Sequence, residues 1–457
     1  MQETNQNPPI QPLESGLKKA LKLPKDVAKS IVKGEPVKAV AQYWQNLGPG
    51  LTTGAADDDP SGIATYSQAG AKFGLGFLWL AAFTFPLMSM VQEMCARIGL
   101  VTGRGLAGNI KRSFPASVLY FCALALFFAN TFNIGADLGA MAEALKLLYP
   151  SLNFGLIIVG FSALSLVLQI FLPYSAYAKY LKWLALVLFA YIFTALSIEF
   201  SLMEILKSAV IPNFPLNRDS LILVCGILGT TISPYLFFWQ SSQEVEEEIL
   251  AGKTTIKLRK SITEDHEIKR MRTDVWSGMF FSNLIMFFII MTCGLVLNKS
   301  GITDIQTAGQ AAKALEPLAG KHAFLLFTIG IIGTGLLAVP VLAGSAAYAL
   351  SEARGWRQGL YRKYKGARKF YKAIIISILL GASLNFVGIN PIKALIYSAV
   401  LNGLVAPFVL IMIVKISSDE KIMGKWVNKI STSVIGWIIC IIMILAGTAA
   451  LAAMMIR

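Results

Sequence analysis

The chain has 457 residues, of which 55% are apolar and only 15% charged, with a mean hydropathy of +0.61. A soluble domain carries about 25% charged residues, so this composition excludes an ordinary soluble protein and points to a polytopic membrane protein. The net charge of +15 does not imply a nucleic-acid partner, because its distribution follows a membrane topology.

A basic, polar segment, residues 1–46, comes first, and no cleavable signal peptide is expected before the first apolar run near Leu47. Within it, Leu17-Lys18-Lys19-Ala20-Leu21-Lys22-Leu23 reads either as a basic amphipathic helix on the membrane surface or as a tail. Apolar runs of about 20 residues mark spans. Eleven are predicted, at about 47–73, 77–100, 116–140, 152–172, 178–199, 220–243, 276–297, 323–350, 373–388, 391–414 and 434–455. Most of the 41 Lys and Arg residues fall in the N-terminal segment and in alternate loops on the same side. That bias predicts a cytoplasmic N-terminus and an extracellular C-terminus.

Two spans carry helix breakers. The first holds Asp57-Asp58-Asp59-Pro60-Ser61-Gly62 and the sixth holds Gly229-Thr230-Thr231-Ile232-Ser233-Pro234. Five spans separate these equivalent points, and an odd number of spans inverts the second copy. The expected architecture is therefore all-α, with two inverted five-helix repeats (47–200 and 220–415), helices 1 and 6 broken, and an eleventh helix at 434–457.

Ionised aspartates at bilayer depth demand cations or water. Proline removes a backbone donor and disfavours helix before it, so carbonyls are freed at each break. Asp59 and Asp58, the Thr230 carbonyl and the Ser233 hydroxyl then form a hard-oxygen set suited to Mg²⁺, Ca²⁺ or Mn²⁺. In span 3, Asn130, Asn133 and Asp137 share a helical face. It reads as an ion-path lining or as a polar seam between helices. Glu93 and Arg97 are spaced for an ion pair. The cluster Glu244-Val245-Glu246-Glu247-Glu248 reads mainly as a solvated helix extension, with attraction of cations leaving the pore as the other reading. The five cysteines lie singly in apolar runs and read as small buried hydrophobes.

These motifs resemble those of the Nramp family of divalent metal transporters. The likeness covers spans 1–11. It is carried by Gln92-Glu93-Met94-Cys95-Ala96-Arg97-Ile98-Gly99, Thr102-Gly103-Arg104-Gly105-Leu106-Ala107, Ala136-Asp137-Leu138 and Ser418-Asp419-Glu420-Lys421-Ile422-Met423-Gly424. It implies a LeuT-like fold and makes Asp59 the match of the family's metal-binding aspartate.

The chain departs from the family pattern where Gly62 replaces an asparagine ligand and Ser233 a methionine. Tyr235 and Gln240 stand at histidine positions, and Asn130 stands at an acidic one. The two histidines, His266 and His322, are predicted in loops. This pattern resembles the Nramp-related magnesium transporters. The resemblance implies a plasma-membrane importer of Mg²⁺ and also Mn²⁺, without proton coupling, enzymatic activity, a cofactor or an obligate protein partner. A proton-coupled Mn²⁺/Fe²⁺ transporter using Asp137 is the alternative. A sodium-coupled amino-acid carrier is disfavoured, because three aspartates would repel a substrate carboxylate. Neither HExxH nor G-x-S-x-G is present to support an intramembrane enzyme.

Overall fold

A computed structural model describes residues 48–172, 186–261 and 263–455, and among these residues it contains helices, turns and no strand. The amphipathic Leu17–Leu23 stretch and the start of the fifth span lie outside the described residues. In chain order the main helices are α1 (Pro49–Asp57), α2 (Pro60–Phe73), α3 (Leu78–Thr102), α4 (Leu106–Ser113), α5 (Ala116–Leu148), α6 (Phe154–Phe171), α7 (Phe189–Leu196) and α8 (Leu202–Val210). They are followed by α9 (Arg218–Thr231), α10 (Pro234–Leu250), α11 (Asp265–Cys293), α12 (Ala323–Arg354), α13 (Arg368–Leu384), α14 (Pro391–Ser417) and α15 (Ile430–Met455).

Among the described residues, eight stretches are long and apolar enough to cross a bilayer, with α9 and α10 counted as one. The first span is divided into α1 and α2, the fifth is represented by the apolar helix Leu186–Leu196, and the ninth is the 17-residue α13. These pieces correspond in order to the eleven spans. Several helices outrun their apolar cores. The helix α11 begins at Asp265, well before the apolar run, because a Glu264–Glu267 capping box starts it in a polar segment.

Both breaks follow from proline chemistry. Pro60 and Pro234 each occupy the first position of a new helix, where a missing N–H costs nothing and the fixed φ suits a helical start. Asp59 and Ser233 precede them in extended conformation, with ψ of 169° and 130°. Asp59 adds an N-cap, its side chain accepting from Gly62 N.

The broken helices are gripped through glycines. A Cβ on Gly54 would lie 2.3 Å from the Gly278 carbonyl, and one on Gly278 would lie 2.1 Å from the Gly50 carbonyl. Hence α1 packs backbone to backbone on α11 through a Gly50-xxx-Gly54 face. A Cβ on Gly229 would lie 2.1 Å from the Ala399 carbonyl, so α9 meets α14 in the same way. Helices α5 and α12 share the most extensive packing, and α14 packs on α9, α5 and α2.

The acidic cluster corrects one expectation. The helix α10 does extend through it, but Glu244, Glu246 and Glu248 are buried rather than solvated, and Glu247 alone of the four is exposed. Gln240 donates to Glu244. Glu246 takes the Tyr348 hydroxyl and the backbone N–H of Leu360 and Tyr361, and Lys253 reaches Glu248. The partners of Glu246 lie more than a hundred residues downstream, whereas Gln240 and Lys253 are local.

Candidate metal site at the two helix breaks

The break in the first span is two residues long, Asp58 and Asp59, with Asp57 ending α1. All three aspartates are at most 1% exposed. Their side chains diverge. Asp59 Oδ1 accepts from Ser61 Oγ at 2.6 Å and from Gly62 N at 2.7 Å, while Oδ2 accepts from Asn133 Nδ2 at 2.9 Å. Asp57 and Asp58 turn instead towards α11, where Ser282 Oγ lies 2.5 Å from Asp57 Oδ2 and 3.3 Å from Asp58 Oδ1. The second oxygen of Asp57 has no partner. Among the described residues no three acidic, histidine or cysteine side chains converge. Asp59 and Asp58 are thus neighbours with opposite orientations in this state.

At the second break, Ser233 Oγ lies 2.8 Å from the Thr230 carbonyl and 2.6 Å from that of Gly229. Its single proton serves one of these at a time, and the Thr230 carbonyl keeps a lone pair. Gly62 faces this break, since a Cβ on it would lie 3.1 Å from Thr230 Oγ1 and 3.3 Å from the Asp57 carbonyl. The two breaks are therefore in contact, as their matched positions in the sequence led us to expect.

The side chains at the departures from the family pattern join the half-helices. The Tyr235 hydroxyl donates to the Ala56 carbonyl at 2.9 Å, satisfying an orphan carbonyl at the end of α1. Gln240 accepts from Thr53 Oγ1 at 2.5 Å and donates to Glu244, linking α1 to α10. Both side chains are buried. His266 and His322 are exposed and lie away from the breaks, the first inside the opening turn of α11 rather than in a loop.

The polar face of span 3 divides. Asn133 bonds Asp59, while Asn130 Nδ2 donates to the Leu342 carbonyl and Ser345 Oγ of α12, both at 2.8 Å. Asp137 is fully buried and neither of its oxygens has a hydrogen-bond partner. Asn133 thus contacts the first break, whereas Asn130 packs against α12. Among the described residues, no Lys, Arg or His forms an ion pair with Asp57, Asp58, Asp59 or Asp137.

Sequence reasoning missed Ser282, Ser398 and Asp274. Ser398 Oγ lies 2.7 Å from Asn133 Oδ1 and 2.7 Å from the Leu395 carbonyl. Asp274 of α11 accepts the N–H groups of Gly48, Gly50 and Leu51, at 2.8, 2.6 and 3.1 Å, and so caps α1 from another helix. Ser282-Asn283 was a polar interruption in an apolar run and could have been flagged; nothing local singled out Ser398. Glu93 and Arg97 do pair at 3.1 Å, and Arg272 joins them at 3.0 Å. A narrow, mostly apolar cleft lined by Ile63, Ala64, Ile305, Ala308, Phe327 and Leu395 reaches Pro60.

A profile of the family described as Nramp, natural resistance-associated macrophage protein-like, matches residues 50–453. The divalent metal cation transporter MntH of Klebsiella pneumoniae (strain 342) is 26% identical over 402 residues, covering 87% of this chain and 91% of its own length. The manganese transporter of Eremococcus coleocola, solved with an aromatic bis-isothiourea substituted compound, superposes with a TM-score of 0.68 at 17% identity. That likeness covers 89% of this chain and 86% of the other. A histidine-to-alanine mutant of the same transporter superposes with a TM-score of 0.66 at 16% identity, over 88% and 84% of the two chains. At such identities the structures speak to the fold, which is LeuT-like with helices 1 and 6 broken. With a family match running from α1 almost to the end of α15, around two helix breaks in contact, the chain belongs to the Nramp family of membrane transporters.

Proposed function

We propose that this protein imports divalent cations, foremost Mg²⁺ and also Mn²⁺, across the plasma membrane by alternating access, without proton coupling. One observation carries the reading. Four buried aspartates (Asp57, Asp58, Asp59 and Asp137) surround the touching breaks, and among the described residues none has a basic partner. Buried carboxylates without counter-charge stay ionised only if a cation visits them. The relatives named as divalent metal cation and manganese transporters support the class of cargo.

In this reading Asp59 is the principal ligand and Asp58 a second carboxylate for the hydrated ion. The Thr230 carbonyl and Ser233 hydroxyl supply neutral oxygens. Gly62 leaves room beside them, and Asn133, Asn130 and Asp137 border the path. Mg²⁺ sheds water reluctantly and keeps several waters when bound. A small hydroxyl at Ser233 suits it better than a thioether would. Access to this point alternates between the two sides of the membrane, with the N-terminus in the cytoplasm.

Asp59→Ala tests the reading in proteoliposomes made with the purified full chain. Loss of saturable Mg²⁺ and Mn²⁺ uptake, with helical content and monodispersity retained, is expected, because a charged ligand in a desolvated site contributes several kcal/mol. Near-normal uptake by the folded variant removes Asp59 from the site.

A further inference from the structure

Asn402 of α14 is fully buried, and among the described residues neither the oxygen nor the nitrogen of its carboxamide has a hydrogen-bond partner. Native interiors seldom leave a whole amide unserved, because each unmade bond costs stability. Its neighbours on the helix fix where it points. Leu395 lines the cleft that reaches Pro60, and Ser398 touches Asn133, which holds Asp59. Ala399 and Gly403 press instead on α9 just before the second break, where a Cβ on Gly229 would run into the Ala399 carbonyl and the Gly403 nitrogen. With 3.6 residues per turn, Asn402 projects about 40° round α14 from Ser398 and about 60° from Ala399, between the two. Its amide is aimed at the wedge between the first break and the second.

A further open atom comes level with it. Helices α5 and α14 run antiparallel, since Asn133 meets Ser398 while a Cβ on Gly139 would lie 3.3 Å from Pro391 Cβ. From the Asn133–Ser398 contact, Asn130 lies three residues along α5 and Asn402 four along α14, both towards the cytoplasm in the proposed orientation. At 1.5 Å per residue these steps are about 4.5 Å and about 6 Å. Asn130 Nδ2 is spent on α12, and its Oδ1 has no partner. Two amide oxygens and one amide nitrogen are thus open one turn from the residue that holds Asp59, and none of them is charged. Neutral amide oxygens displace the waters of Mg²⁺ poorly, since that ion dehydrates reluctantly, but they accept hydrogen bonds from those waters. A station without formal charge also binds weakly enough for the ion to move on, as conduction requires.

We propose that Asn402 is a station for the water shell of a divalent cation passing between Asp59 and the cytoplasmic side, level with the open oxygen of Asn130. This rests on the reading of Asp59 as the metal-binding carboxylate and assigns the next position on the path. The empty station carries an unserved amide, and the hydrated ion serves it. Transport, not stability, is what the polar side chain supplies there.

Uptake into proteoliposomes, calorimetric titration with MgCl₂ and thermal melting of the full chain test it, comparing wild type, Asp59→Ala and Asn402→Leu. Leucine keeps the branched shape and removes both polar atoms. Maximal Mg²⁺ uptake by Asn402→Leu should fall about tenfold. Mn²⁺ uptake should fall less, because Mn²⁺ gives up its waters more readily. Calorimetric Mg²⁺ affinity should stay near that of wild type, and the melting temperature should be equal or higher, since no protein hydrogen bond is lost. Wild-type uptake rates overturn the proposal. So does a lower melting temperature with equal loss for both ions, which marks a merely structural amide. Binding lost as completely as in Asp59→Ala also overturns it, because Asn402 is then part of the primary site. If leucine is too large for the variant to fold, the smaller Asn402→Val decides by the same criteria. Loss of binding in Asp59→Ala with wild-type uptake in Asn402→Leu sinks this inference and leaves the transport reading standing. Unchanged binding in Asp59→Ala sinks both.

Discussion

Asp59 holds three hydrogen bonds with its two oxygens and begins a helix with the same side chain. Capping of that kind contributes about 1 kcal/mol to stability. Any cation that recruits Asp59 therefore competes with the fold's own use of it, and Oδ2, held once, is the oxygen more easily given up. Ser233 is in a similar position, since its proton is spent on the Gly229 or Thr230 carbonyl. Ser233→Met deletes those bonds and fills the space with a thioether, which Mg²⁺ barely uses and softer ions accept. Competitive uptake of Mg²⁺, Mn²⁺ and Cd²⁺ should shift the Cd²⁺-to-Mg²⁺ ratio upward by about tenfold, equivalent to about 1.4 kcal/mol. Unchanged ratios mean that Ser233 does not face the ion.

The first half-helix, α1, is nine residues long and could not persist alone in water or lipid. Contacts from other elements hold it, among them Thr53 with Gln240 of α10 and Asp57 with Ser282 of α11. The Gly50-xxx-Gly54 face lies on Gly278, Tyr235 caps its last turn, and Asp274 caps its first. Asp274→Ala removes an acceptor from three N–H groups and should lower stability by about 1–2 kcal/mol. It should also loosen α1 preferentially. The check is thiol labelling of a Thr53→Cys probe, buried in the parent, against a background of five buried native cysteines. Labelling should rise several-fold in Asp274→Ala. Equal labelling would show that the remaining contacts hold α1 without the Asp274 cap.

For the whole molecule, the distribution of titratable groups bears on coupling. Both histidines are exposed and outside the breaks, Tyr235 is tied to the Ala56 carbonyl, Gln240 to Thr53 and Glu244, and Asn130 is fixed to α12. Asp137 is left without a proton-passing partner at hydrogen-bond distance. Uptake into liposomes loaded with a pH-sensitive dye should therefore proceed without internal acidification. Acidification in fixed proportion to metal uptake would instead support the proton-coupled alternative.

The sequence alone determined the membrane class, the order of the spans, both breaks and the residues that flank them. Each of these depends on chain-local physics: an apolar run long enough to span, or a proline that cannot continue a helix. Tertiary structure decided which way each polar side chain faces. Asp58 and Asp59 are adjacent, yet one turns to Ser282 on α11 and the other to Asn133 on α5. Asn130 and Asn133 share a helical face, yet they bond to different neighbours. Glu244, Glu246 and Glu248 read as a solvated strip and became buried joints. For the aspartates, the asparagines and Glu246 the partner is set by the tertiary fold, and helical periodicity specifies only the face a side chain occupies. What meets that face is set by how the helices pack.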